Sequence, residues 1–179
     1  FAGLVYGDFT NDLIKSMSER GKVAVDVQTC LRHVDTENGG TMYFEDWKDK
    51  MEMLPYIDFL KTDAAEAEIM TGLEDRYEAA KLLHSWGAKE VVITHNTEVI
   101  AFDGEKFASC PIKARNLSGR TGRGDTTFAA YINERLTNSM ERSLLFATAT
   151  VSIKMETPGP FKGTKEDVEN YIREFYPES

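Results

Sequence analysis

Residues 119–132 read GRTGRGDTTFAAYI, and this stretch carries more structural information than any other in the chain. Gly119, Gly122 and Gly124 precede Asp125 at the predicted first turn of a helix. Glycine permits positive φ and lacks the Cβ that would keep a ligand away. Because a helix N-terminus offers unpaired amides and the positive end of a dipole, the pattern favours a bound anion such as phosphate. Asp125 then has two interpretations, a helix cap or a base held beside a phosphate.

Apolar runs and amphipathic stretches alternate on both sides of this motif. The patterns predict strands over residues 1–6, 22–27, 57–61, 90–94, 99–102 and 106–109, helices over 11–20, 45–53, 64–70, 75–86, 126–136, 143–154 and 165–175, and a polar loop over 32–40. Such alternation is typical of an α/β fold with a mostly parallel sheet covered on both faces. In these sheets ligands gather at the carboxyl ends of strands, where the glycine motif is predicted to lie.

Composition excludes several classes of function for this chain of 179 residues. The net charge is −9 and no lysine or arginine block stands out, which argues against a nucleic-acid partner. No apolar run approaches the roughly 18 residues of a membrane span, and no signal peptide is visible, so we expect a cytoplasmic protein without a membrane partner. Cys30 and Cys110 follow no metal-ligand spacing and are interpreted as inert thiols. Because an apolar run begins at Phe1, we expect a fragment rather than a processed N-terminus.

Three further motifs stand at predicted strand or helix ends. They are DAAE at residues 63–66, THN at 94–96 and PG at 158–159. In this order and spacing the chain resembles the ribokinase-like sugar kinases, the PfkB family, over almost its whole length. The signature D-T-x-G-A-G-D of that family is matched by residues 119–125, its N-x-x-E motif by the DAAE segment, and its strand-ending T-x-G by the THN segment.

The resemblance implies a three-layer α/β/α fold forming a single domain over residues 1–179, the C-terminal portion of such a kinase, with the N-terminal part and lid missing. It implies ATP-dependent phosphoryl transfer, with Mg²⁺, to an alcohol of a small sugar, polyol or nucleoside. We expect the segment alone to be inactive, and family dimer contacts leave a homodimer open. The alternative is a non-catalytic nucleotide- or metabolite-binding domain on the same fold. A dinucleotide oxidoreductase is set aside because the glycine motif lies late in the chain.

The resemblance also assigns roles to residues. Asp125 would be the general base, and the amides of Gly122, Arg123 and Gly124 would form an anion hole for the developing charge. Glu66, with Asp63, would hold Mg²⁺ through water, since this ion gives up its waters reluctantly. The residues implied at the nucleotide are Thr94, Asn96, Arg120, Thr121, Ala149 and Gly159. Residues 26–28 and 31–32 resemble a stretch that follows a central strand in some inositol-kinase-like and related members, which would place Gln28 and Arg32 at the substrate. The alternative is an ordinary strand-to-loop transition with a surface arginine.

Five positions depart from the family pattern. Gly119 stands in place of aspartate, Arg120 in place of a small hydroxyl residue, and Arg123 in place of alanine. Asp63 stands where asparagine is usual, and Asn96 where glycine is usual. An arginine in the anion turn either adds charge to phosphate recognition, because its planar fork suits phosphate oxygens, or points to solvent.

Overall fold

The computed structural model describes residues 1–177. The chain divides into two compact units. The first comprises Phe1–Ile93 with Phe102–Lys106, and the second comprises Thr94–Ala101 with the chain from Phe107 onward. The single domain expected over residues 1–179 stays a prediction.

The first unit is built on buried strands. Its elements are α1 (Asn11–Ser18), β1 (Ala24–Asp26), α2 (Gln28–Leu31), β2 (Arg32–Asp35), β3 (Thr41–Phe44), α3 (Lys50–Met53), a 3-10 turn (Leu54–Tyr56), β4 (Phe59–Asp63), α4 (Ala64–Thr71), α5 (Arg76–Ser85) and β5 (Glu90–Thr94), whose last residue belongs to the second unit. The strands β1, β4 and β5 are neighbours in that order, and β1 runs parallel to β4. Their side chains are almost all buried, as expected for short apolar strands covered on both faces.

The second unit is mainly helical. Its elements are β6 (Glu98–Phe102), whose last residue belongs to the first unit, β7 (Phe107–Pro111), α6 (Arg123–Arg135), α7 (Met140–Met155) and α8 (Lys165–Phe175). The strands β6 and β7 are neighbours. Helix α7 is the core of this unit, because nearly all of its residues are buried. The Ser139 hydroxyl caps the start of α7, and Thr164 and Asp167 form a capping box at the start of α8.

Most predicted elements are confirmed, and two of them, the strand over 90–94 and the helix over 165–175, have the predicted ends. The strand expected over residues 1–6 is wrong. Phe1 exchanges backbone hydrogen bonds with Ala24 and Asp26, but the chain leaves that alignment at once. The helix expected over 45–53 is a single turn that begins at Lys50.

The loop expected over residues 32–40 is also wrong, because β2 and β3 form an antiparallel hairpin there with Arg32 opposite Phe44. Every residue of β3 is exposed. A strand pair without a buried face lacks the alternation of apolar and polar residues on which strand prediction depends, so only its polar turn was recognisable.

Among residues 1–177 there is no helix with the length and apolar character that crossing a membrane requires.

Candidate active site

The glycine turn of the second unit leads directly into α6. Gly122 is the residue before the helix and has φ +77°, a left-handed conformation that favours glycine. Gly119 is buried, and its amide donates to the Met155 carbonyl at 2.8 Å. A Cβ at position 119 would lie 1.8 Å from the Thr157 carbonyl oxygen. The close backbone contact therefore explains why glycine stands where the family pattern has aspartate.

Asp125 occupies the third position of α6 and is exposed. Its carboxylate has no hydrogen bond or ion pair with any of residues 1–177, and the start of α6 has no side-chain cap. The interpretation of Asp125 as a helix cap is therefore wrong. The amides of Gly122 and Gly124 also lack partners in the described chain, while the Arg123 amide makes one long contact of 3.4 Å to the Arg120 carbonyl. The first turn of α6 thus presents a carboxylate beside unused amide donors.

Two arginines of the motif converge on one amide side chain. Arg120 Nη2 donates to Asn96 Oδ1 at 3.0 Å, and Arg123 Nη1 donates to the same oxygen at 2.6 Å. Neither guanidinium forms an ion pair with a carboxylate within residues 1–177. Three positions that depart from the family pattern are therefore joined in one cluster at the surface, where Arg120 is exposed.

A third cation, which sequence reasoning missed, lies at the same turn. Lys154 of α7 is only 2% exposed, and its Nζ donates to the Gly119 carbonyl at 2.6 Å. Its Cε lies 4.0 Å from the point that a Cβ on Gly122 would occupy. In the described part of the chain no carboxylate comes within ion-pair distance of Lys154. A lysine in an otherwise buried helix was the available signal, because lysine is rarely fully buried without a partner.

The other residues expected at a nucleotide differ in their solvent exposure. Thr94 is 6% exposed at the end of β5, and Ala149 is fully buried within α7. Thr121 and Gly159 are exposed. Of the six residues assigned to the nucleotide, the structure joins Asn96 and Arg120 by a hydrogen bond. The nucleotide roles of the set stay predictions.

A cavity of about 520 Å³ opens beside Asp125 in the second unit. Its walls include Thr126, Phe146, Thr150 and Phe161. Cavities of about 300 to 1,000 Å³ with mixed apolar and polar walls are the usual size for small-molecule sites. A small ligand therefore has room next to the uncommitted carboxylate.

In the first unit, Asp63 and Glu66 form a capping box at the start of α4. The Glu66 amide donates to Asp63 Oδ1 at 2.9 Å, and the Asp63 amide donates to Glu66 Oε2 at 2.8 Å. Burial raises the pKa of Glu66 to about 7, and the Lys61 ammonium opposes that rise. Among residues 1–177 no group of three or more histidine, cysteine or acidic side chains could hold a metal ion alone. Any metal at Glu66 would therefore need water or substrate oxygens as its other ligands.

A buried ion pair, which sequence reasoning also missed, joins Asp26, the last residue of β1, to Lys61 in the middle of β4. Lys61 Nζ contacts Asp26 Oδ2 at 2.9 Å, with both side chains almost completely buried. The two residues predicted at the substrate lie just beyond β1, where Arg32 Nη2 donates to Gln28 Oε1 at 2.8 Å. The structure thus brings Gln28 and Arg32 together, and their substrate role stays a prediction.

Comparison with known proteins finds similarity to kinases. The family model described as "pfkB family carbohydrate kinase" matches residues 7–166. Cytidine kinase of Thermococcus kodakarensis is 36% identical over 84 residues, which is 45% of this chain and 30% of that protein.

Solved structures agree with the family match. A pyrophosphate-dependent myo-inositol-1 kinase converted into a myo-inositol-3 kinase is 36% identical, with TM-score 0.86, covering 97% of this chain and 61% of that chain. A pyrophosphate-dependent kinase in the ribokinase family, complexed with a pyrophosphate analog and myo-inositol, is 36% identical, with TM-score 0.85, covering 93% and 60%. Ribokinase of Arabidopsis thaliana, complexed with ribose and ATP, is 22% identical, with TM-score 0.74, covering 96% of this chain and 55% of that chain. At this identity the similarity supports the fold alone.

This chain thus spans about three-fifths of the length of the first two structures. Their similarity confirms the expected α/β fold of ribokinase type with a mostly parallel sheet. Because the family model covers most of the sequence, this chain belongs to the pfkB family of carbohydrate kinases.

Proposed function

We propose that this chain carries the catalytic part of a kinase that transfers a phosphoryl group to an alcohol of a small sugar, polyol or nucleoside. The observation that supports this most is the state of Asp125. Its carboxylate is exposed and has no partner within residues 1–177, and it stands beside the unused amides of Gly122 and Gly124. A carboxylate in the first turn interacts favourably with the helix dipole, and this one is also free to accept a proton because no side chain or amide binds it.

In the proposed reaction Asp125 accepts the proton of the substrate hydroxyl as the hydroxyl oxygen attacks the terminal phosphorus of the donor. The bond from that phosphorus to its bridging oxygen breaks, and the rest of the donor leaves with the electron pair. The Gly122 and Gly124 amides stabilise the charge that develops on the transferring group, at a helix end whose dipole favours anions. Phosphoryl transfer depends mainly on such positioning and charge stabilisation.

The donor and acceptor classes follow from the family and its members. ATP is the donor that the family resemblance implies. Pyrophosphate is a second candidate, because two of the similar structures are of pyrophosphate-dependent kinases. Among acceptors, the myo-inositol and cytidine named for the relatives favour a polyol or a nucleoside. The cavity beside Asp125 has room for either kind of molecule.

Mg²⁺ is the metal that the family resemblance implies, and Glu66 fits it. One carboxylate oxygen, Oε2, accepts the Asp63 amide, and Oε1 has no hydrogen-bond partner among residues 1–177. The pKa of Glu66 is raised by burial, so a cation would compensate a poorly solvated charge. Glu66 and Asp63 would hold the ion through water, and the chemistry that the ion would supply is neutralisation of phosphate charge.

The test is a phosphorylation screen of the natural protein at its full length. Sugars, inositols and nucleosides are incubated with Mg²⁺ and either ATP or pyrophosphate, and phosphorylated products are detected by ³¹P NMR. We expect Asp125→Asn to lower kcat by about 10²- to 10⁴-fold, the contribution of a positioned base.

The matched control for Asp125→Asn is Glu166→Gln, which neutralises an exposed carboxylate in the first turn of α8. It should retain the wild-type rate. A near-wild-type rate for Asp125→Asn would show that Asp125 is not the general base. Donor binding without any turnover would favour the alternative, a non-catalytic nucleotide- or metabolite-binding domain.

A further inference from the structure

We infer that Arg120, Arg123 and Lys154 select the donor, and that they favour pyrophosphate over ATP. This inference rests on the proposed function, because it concerns the donor of the same reaction. It assigns a task to three cations that the general mechanism does not use. It also gives Asn96 the role of holding two of them in place.

Two like charges converge on Asn96. Arg120 and Arg123 each donate to Asn96 Oδ1, at 3.0 and 2.6 Å, so their guanidinium groups lie close together. Like charges at such a distance repel, and no carboxylate in residues 1–177 forms an ion pair with either group. A phosphate group between them would supply the missing negative charge. Its oxygens match the planar fork of N–H donors on each guanidinium.

Lys154 independently supports an anion site, because its ammonium is buried. Among the described residues its hydrogen-bond partner is one neutral group, the Gly119 carbonyl, at 2.6 Å. A buried charge without a counter-charge is costly, and an ammonium has three N–H donors to satisfy. Lys154 Cε and Asp125 Oδ2 lie 4.0 and 3.9 Å from the point that a Cβ on Gly122 would occupy, so an anion seated at the turn would lie next to the ammonium as well as to that carboxylate. The Lys154 ammonium thus lies at the buried side of the turn, where it would contribute positive charge to a bound anion.

The space around Asn96 is occupied by larger side chains than the family pattern has there. The family pattern has glycine at position 96, alanine at position 123 and a small hydroxyl residue at position 120. In this chain the same positions carry an amide and two guanidinium groups in mutual contact. Thr94 and Ala149, which the resemblance assigns to the nucleoside, are buried. These features favour a compact donor whose charge is all on phosphate, and they disfavour a donor that must also seat adenine and ribose.

The experiment measures kcat/KM of the natural protein at full length with pyrophosphate and with ATP, each with Mg²⁺. The variants are Arg123→Ala and Arg120→Ser, which restore the residue types of the family pattern, and the double variant. Each lost charge-assisted contact should lower kcat/KM for pyrophosphate by about 10- to 100-fold. The value for ATP should fall at least about tenfold less than the value for pyrophosphate, because ATP also binds through its nucleoside and depends less on the two guanidinium groups.

The matched control is Arg173→Ala, which removes an exposed arginine that donates to the Asn170 side chain on α8. It should leave kcat/KM for both donors unchanged. Equal losses for pyrophosphate and ATP in the double variant would overturn the inference, and so would turnover with ATP but not with pyrophosphate. In either case the proposed kinase function would stand.

A lack of turnover with both donors would count against the proposed function and would leave donor selection to be tested by binding. The binding measurement is thermal unfolding in the presence of each anion. We expect pyrophosphate to raise the Tm of the wild-type protein, and of Arg173→Ala, more than sulfate does at equal ionic strength. That difference should vanish in the Arg120→Ser/Arg123→Ala variant. An equal rise with sulfate, or a rise that survives in the double variant, would overturn the inference.

Discussion

The Asp26 carboxylate and the Lys61 ammonium form an ion pair of 2.9 Å in which both side chains are almost completely buried, at 7% and 6% exposed. The two residues lie opposite each other in the parallel register of β1 and β4. Asp26 Oδ1 also accepts from the Gln28 amide at 3.2 Å. The pair therefore links the two strands to the turn that follows β1. Its removal should affect the folding of the first unit.

We predict that Lys61→Met lowers the free energy of unfolding by about 3–5 kcal/mol, because it leaves the Asp26 carboxylate buried without a counter-charge. The double variant Lys61→Met/Asp26→Leu should recover much of that loss, since it removes both charges. The measurement is urea unfolding followed by circular dichroism. Lys89→Met is the control, because it breaks a pair with Asp58 in which the lysine is 64% exposed. Lys89→Met should lower the free energy of unfolding by less than about 1 kcal/mol. A loss for Lys61→Met as small as that for Lys89→Met would contradict the prediction.

A second prediction concerns the backbone contact at Gly119. In Gly119→Ala the new Cβ would lie 1.8 Å from the Thr157 carbonyl oxygen and 3.0 Å from that of Lys154, both of them backbone atoms. The backbone must move, and we expect a loss of about 3 kcal/mol in stability. Thermal unfolding measures it, with Gly21→Ala as the control, because a Cβ at position 21 meets no atom within 4 Å. A Tm for Gly119→Ala as high as that of the control would show that the turn adapts freely.

The third prediction concerns the thiols, which are free and buried as the sequence suggested. Burial raises the pKa of Cys30 to about 12 and that of Cys110 to about 11. At pH 8 both thiols are therefore protonated, and they should react with DTNB far more slowly in the folded protein than in concentrated urea. Because the folded pKa values lie above the ordinary 9.0, the stability that these thiols contribute is present below pH 9 and declines as pH rises towards 11 and 12. Rapid labelling of either thiol at pH 8 under native conditions would contradict this.

The sequence was informative where the signal is local. Glycines and an aspartate within seven residues identified the turn before α6, and the apolar strand β5 had its predicted ends. The hairpin of β2 and β3 was missed because its strands are exposed and have no buried face to reveal them.

The cation cluster could not be predicted, since position 96 lies 24 residues before Arg120 and only the fold brings them together. The close contact at Gly119 was equally out of reach, because it depends on the backbone at Thr157, beyond the end of α7. In both cases the departures from the family pattern were visible in the sequence. Their reasons were tertiary.

The last prediction separates a metal role of Glu66 from its structural role in α4. Glu66→Gln keeps an oxygen that can accept the Asp63 amide, so the capping box and the stability of the protein should be retained. It removes the charge that would hold Mg²⁺, so the Mg²⁺ concentration for half-maximal activity should rise by about tenfold, the lower end of what loss of a supporting ligand costs. Asp167→Asn is the control, because it makes the same isosteric change in the capping box of α8. If Glu66→Gln kept the Mg²⁺ dependence of the wild type, Glu66 would act only as a helix cap. If Glu66→Gln lowered the Tm while Asp167→Asn did not, the metal role and the capping role would not be separable at this residue.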